Sequence, residues 1–118
     1  MSDMAYLEDM KSKRLVWLRG EVKTPPVGLE ARRELGFLLR QIQEGDMPSM
    51  PYAKPMREIG PNCLELRVND KNRSWRLVCS VDDDDIVVLD VFSKTTQKTP
   101  HHVVENCKRR LSLWEKSK

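Results

Sequence analysis

Several common features are missing from this sequence of 118 residues and 13.8 kDa, and each absence narrows its class. It has only three cysteines, Cys63, Cys79 and Cys107. The number is odd and no CxxC pair occurs, so nothing founds a zinc site, and the thiols are expected to be reduced in a cytoplasmic protein. No apolar run approaches the roughly 20 residues needed to span a membrane. Residues 1–13 mix acids and bases without an apolar stretch, so they read as a flexible lead-in and not as a secretory signal. Internal repeats and low-complexity tracts are lacking too. The run Asp82-Asp83-Asp84-Asp85 is too short to be an acidic tail and suits a solvated turn. The two histidines, His101 and His102, are adjacent, so on a helix they point about 100° apart. With Glu105 one turn after His101 they still supply too few ligands for zinc. No metal and no cofactor are expected.

What is present fits one domain, residues 14–118, large enough to bury a single core without covalent staples. The formal net charge of +3 and the pI near 8.8 are mildly basic, which permits a polyanionic partner without requiring one. From Lys94 onward seven basic residues stand against two acids, and this asymmetry hints at one positive face.

The element pattern is strand, helix, irregular link, strand meander, helix. Residues 14–18 read as a first strand. Thr24 or the prolines after it start a helix whose apolar residues Ala31, Leu35, Leu38, Leu39 and Ile42 make one stripe, and Gly45 ends it. Pro48, Pro51 and Pro55 mark an irregular crossing, and Met56–Ile59 reads as a short edge strand. Residues 63–69, 74–81 and 86–92 alternate or run apolar between polar turns, as three antiparallel strands do. Thr99 caps a last helix with Pro100 in its first turn and a stripe of Val103, Val104, Cys107, Leu111 and Trp114. Trp17, Trp75 and Trp114 take core or core-edge positions. The expected architecture is α+β, a small twisted antiparallel sheet with helices packed on one face.

The turns suggest how the strands pair. If Asp70–Arg73 closes the first hairpin, Arg67 faces Arg76, with Glu65, Ser74, Val78 and Ser80 on the same open face. In the second hairpin, keeping Val87, Leu89 and Val91 toward the core puts Asp90 beside Arg76, with Phe92 and Lys94 following on the open face. Two directly opposed arginines cost about 0.2–1 kcal/mol, so an anion should offset them. Asp90 can offset one, and a bound phosphate could satisfy both. The face is either a solvated charged surface or an anion site.

Four segments in series carry a resemblance. They are Gly20-Glu-Val-Lys-Thr-Pro-Pro26 before Ala31-Arg32; Leu38-Leu39-Arg40 with Gln43-Glu-Gly45; Glu65-Leu-Arg67 with Trp75-Arg76; and Phe92-Ser-Lys94 through Gln97-Lys-Thr-Pro100, followed by Cys107-Lys-Arg-Arg-Leu111. In this order they resemble the phage-derived, HigB-like branch of the RelE/ParE toxin superfamily over residues 14–115. The resemblance implies a toxin of a type II toxin–antitoxin pair. Such a toxin is a metal-independent endoribonuclease that cuts mRNA on the ribosome and inhibits translation. Its partner is a protein antitoxin, expected to carry a helix-turn-helix region.

Carried over by motif, the resemblance implies working residues at Arg67, Arg76, Lys94 and Lys98. Two departures accompany it: Thr95 stands where many relatives have a second lysine, and Asp90 where many have histidine. Cleavage by the RNA's own 2′-OH needs a held phosphate, charge stabilisation and proton transfer. Arg67 and Arg76 suit the charge. Lys94, crowded by cations, suits proton transfer. Asp90 serves as base or, the preferred reading, orients Arg76. Phe92 either stacks on a base or packs near the last helix. Lys108 and Arg109 either touch RNA phosphates or form a solvated helix face. The alternatives to a nuclease are a ParE-like inhibitor of DNA gyrase with no RNA cleavage and a degenerate phage-derived binding protein.

Overall fold

The periodicities of the sequence form seven elements in the computed structural model, which describes residues 12–19, 27–71, 73–94 and 98–118. They are β1 (Arg14–Trp17), α1 (Leu29–Gln43), β2 (Ala53–Pro55), β3 (Cys63–Asn69), β4 (Ser74–Val81), β5 (Asp85–Lys94) and α2 (His101–Ser117). The strands form one mixed sheet in the order β1-β5-β4-β3-β2. β1 runs parallel to β5 and every other pair is antiparallel, giving an α+β fold.

The edge strand is Ala53–Pro55, not the expected 56–59. Met56 and Ile59 are buried apolar residues in the turn that follows, where the Ile59 and Gly60 amides donate to the Met56 carbonyl. A Cβ at Gly60 would lie tightly against the turn's neighbours, 3.0 Å from Leu111 Cδ2 and 3.2 Å from Cys63 Sγ. Gly45 terminates α1 at φ 94°, a conformation that disfavours a side chain. Thr24, Pro25 and Pro26, expected to start α1, lie outside the described residues; Gly28 occupies the N-cap position. Residues 1–11 of the expected lead-in also lie outside them. Lys13 is tied to the β4–β5 turn, its Nζ donating to the carbonyls of Asp82 (2.6 Å) and Asp83 (3.0 Å).

The first hairpin pairs as expected, with Arg67 opposite Arg76 and Asn69 opposite Ser74. Asp70 locks its turn, its Oδ1 accepting from the Arg73 amide and its Oδ2 from the Trp75 indole, each at 2.9 Å. The second hairpin differs. Arg76 stands opposite Phe92, and Asp90 opposite Val78. A β-bulge follows, because Cys79 pairs with Val88 and Leu89 becomes an extra residue.

The helices do not share one face of the sheet, as alternation suggested; each covers its own. Ala31, Leu35, Leu38, Leu39 and Ile42 of α1 pack with Leu66, Val68, Trp75, Leu77, Cys79, Ile86 and Val88. On the opposite face Val103, Val104, Cys107 and Leu111 of α2 pack with Cys63, Val78, Val87 and Leu89. Each fully buried aliphatic side chain contributes about 1.5–3 kcal/mol. Four consecutive residues, Ile86–Leu89, are buried because both sides of β5 are covered there. Trp75 is buried in the first core; Trp17 and Trp114 lie at the margins of the first and second.

Candidate functional site

Past the apolar row under α2, the same face of the sheet turns polar. Glu65 and Arg67 alternate on β3, Arg76 projects from β4, and Phe92 and Lys94 follow on β5 beyond the bulge. β2 adds Lys54, paired in register with Glu65.

Glu65 is the hub. Its side chain is 0 % exposed. Its Oε1 lies 3.2 Å from Arg67 Nε, 3.7 Å from Arg76 Nε and 4.0 Å from Lys94 Nζ. Its Oε2 accepts a hydrogen bond from the Thr99 hydroxyl. A carboxylate this deep is stable only when paired and hydrogen-bonded, and here it is both. Exposure is graded across the cations: 21 % for Arg67, 12 % for Arg76 and 3 % for Lys94, so the patch opens to solvent over the arginines.

Three cations around one carboxylate leave an excess of positive charge. Burial pulls the Arg76 guanidinium below its ordinary pKa; the Arg67 charge adds to this and Glu65 opposes it. Burial also lowers the pKa of the Lys94 ammonium. The charge of Glu65 opposes that shift, while those of Arg76, Arg67 and Lys54 reinforce it. Arg76 Nη1 donates to the Trp75 carbonyl at 3.0 Å, and its buried Nε makes no hydrogen bond.

Arg67, Arg76 and Lys94 are therefore brought together, and Phe92 stands beside Arg76, half-buried against the α2 core. Asp90 is not with them. A one-residue offset at the turn and the bulge together place it two positions from the expected register, and its Oδ2 pairs with Arg110 of α2 at 3.5 Å. The expectation that Asp90 offsets or orients Arg76 is overturned; Glu65 takes that place. Lys108 pairs with Glu105 at 3.5 Å and Arg109 donates to Asn106 at 3.0 Å, both on the exposed side of α2. Lys98 is exposed beside a groove of about 560 Å³ lined also by Glu58, Thr99, Pro100, His101, Val104, Glu105 and Lys108.

Sequence reasoning passed over Glu65, Lys54 and Thr99. Glu65 had a signal, being the only acid on the face where two arginines oppose each other in β3 and β4. Thr99 was read as a helix cap, but Pro100 holds the N-cap position and the hydroxyl goes to Glu65. Among the described residues no three His, Cys, Asp or Glu side chains stand together as a metal site would need, and no helix is long and apolar enough to cross a membrane.

The family model for the phage derived protein Gp49-like family (DUF891) matches residues 27–112, a span that holds the apolar stripe of α1, that of α2 as far as Leu111, and every residue of the cluster. The chain belongs to this family. No curated protein matches it. The Gp49-like family is associated with toxins of toxin–antitoxin pairs, and a toxin-like role agrees with membership at that level.

Proposed function

We propose that this Gp49-like protein is a cytoplasmic toxin of a type II toxin–antitoxin pair, of the HigB-like branch of the RelE/ParE superfamily, and that it cleaves mRNA on the ribosome. Its partner would be an antitoxin with a helix-turn-helix region. One observation supports this above others: Arg67, Arg76 and Lys94, from three consecutive strands, converge around one carboxylate on a patch open to solvent.

The chemistry follows from the groups. A phosphodiester laid over the patch meets the guanidinium donors of Arg67 and Arg76, which match phosphate oxygens and stabilise the charge that grows when the 2′-OH attacks. Lys94, its pKa lowered by burial and neighbouring cations, is suited to proton transfer. Phe92, adjoining Arg76, offers an aromatic edge to an unstacked base. Lys98 and Lys108 along the groove supply charge for the flanking backbone.

Induction of the wild-type chain in a bacterial host, followed by primer extension on cellular mRNA, tests the reading. Discrete cuts that disappear in Arg67→Ala and Arg76→Ala are expected. Growth arrest with DNA-damage signalling and no cuts would overturn it in favour of gyrase inhibition. Absence of growth inhibition, with an antitoxin complex still forming, would leave only a binding protein.

A further inference from the structure

Glu65 Oε1 lies within 4.0 Å of all three cations, yet the chemistry above gives it no step. We propose that Glu65, anchored by Thr99, is a positioning residue that holds Arg67, Arg76 and Lys94 in the arrangement that receives a phosphodiester. The proposal rests on the nuclease reading and deepens it.

Stability alone gives no reason for the arrangement. Replacing a buried ion cluster by apolar residues is often neutral or stabilising, and the same face is apolar a few residues away at Cys63 and Val78. The geometry suits positioning instead. Without an anion between them, the opposed Arg67 and Arg76 would repel and splay. Glu65 Oε1 approaches both arginines through Nε, at 3.2 and 3.7 Å, which leaves their terminal Nη ends directed to other acceptors. Arg76 uses one of these on the Trp75 carbonyl; a guanidinium has five donors in a fixed fork, so donors remain. The other carboxylate oxygen is fixed from the opposite side by Thr99, which also lines the groove beside Lys98. One side chain thus ties three strands to the segment that enters α2.

The test uses the purified full-length chain with mRNA-programmed ribosomes as substrate, and Glu65→Gln and Thr99→Val as variants. Glu65→Gln keeps the shape and removes the charge. If Glu65 positions, kcat falls roughly 10–100-fold. Binding of inorganic phosphate does not weaken, since the patch becomes more positive. By NMR the Lys94 ammonium titrates at lower pH, because the negative charge that raised its pKa against Arg67, Arg76 and Lys54 is gone. Thr99→Val, which leaves the charges in place, lowers kcat by a smaller factor. If both variants fold and turn over at the wild-type kcat, the proposal is overturned. Should Glu65→Gln fail to fold, a wild-type kcat in Thr99→Val overturns it on its own. If the wild-type chain cuts no RNA, the nuclease reading falls separately. The positioning role is then decided by the Arg67 Nε–H signal, which loses exchange protection in Glu65→Gln if it stands and keeps it if it does not.

Discussion

Under α1 the sheet presents Leu66, Val68, Trp75, Leu77 and Val88, every one buried among apolar neighbours. Under α2 the row of Cys63, Val78 and Val87 gives way within the same strands to Glu65, Arg67, Arg76 and Lys94. The two faces share one backbone, so the contrast comes from side chains alone. The first face is spent on packing. The second keeps about half its length for charge, with one internal carboxylate where a core would have placed a leucine. Stability and function should therefore separate by face.

The largest effect that could break this contrast is on activity. Arg67→Ala and Arg76→Ala should each lower RNA cleavage about 10²–10³-fold, the usual loss when a charge-stabilising donor is removed. Cleavage assays and growth inhibition check this, while urea unfolding should shift less than for a core truncation, because two cations still pair with Glu65. On the other face, Leu66→Ala, at a fully buried position, should cost about 2–5 kcal/mol by urea unfolding with the cationic patch still assembled. If Leu66→Ala unfolded no more easily than Arg67→Ala, the division by face would be wrong.

Lys94 sharpens the comparison, because it is charged, nearly buried and has a lowered pKa. As pH rises from that lowered value toward the ordinary 10.5, the folded protein loses this proton before the unfolded chain does, so stability contributed by Lys94 increases across that window. Lys94→Met should abolish that rise and leave stability at neutral pH equal or higher, while cleavage is lost. Urea midpoints measured as a function of pH give the answer, and a stability loss on substitution would contradict it. The smallest effect belongs to Asp90→Asn. Its carboxylate pairs with Arg110 and not with the cluster, so cleavage should stay within roughly 3-fold and stability should fall by under about 1 kcal/mol in the same assays.

Much of this was legible in the residues. The stripes of α1 and α2 stand where the 3.6-residue period put them, and the β3–β4 register followed from a short polar turn between clean alternations. The convergence of Arg67, Arg76 and Lys94 followed from that alternation too. The coverage of both faces was missed, although Val78 broke the alternation of β4 and Ile86–Leu89 ran apolar without a break, as a strand buried on both sides does. The second register was missed because the turn pairs one residue off the expected position and strict alternation has no place for an extra residue, so Val87 and Leu89 were expected on the wrong face and Asp90 beside the wrong partner. Glu65 was seen on the right face but not as the anion, since burial depends on what covers a position and not on its neighbours in sequence.

The bulge at Leu89 also bears on how the chain tolerates changes of length. Leu89 and Asp90 both turn toward α2, so the strand holds one residue more than its partner requires. Deleting Leu89 would leave a regular ladder in which Phe92 and Lys94 still face Glu65, at the cost of a hole beneath α2 and the acceptor for Arg110, whose Nη1 donates to the Leu89 carbonyl at 2.9 Å. Inserting a residue anywhere from Asp90 to Phe92 would instead send Lys94 to the α1 side. This strand can be shortened at one point and keep its chemistry, but it cannot be lengthened beyond that point.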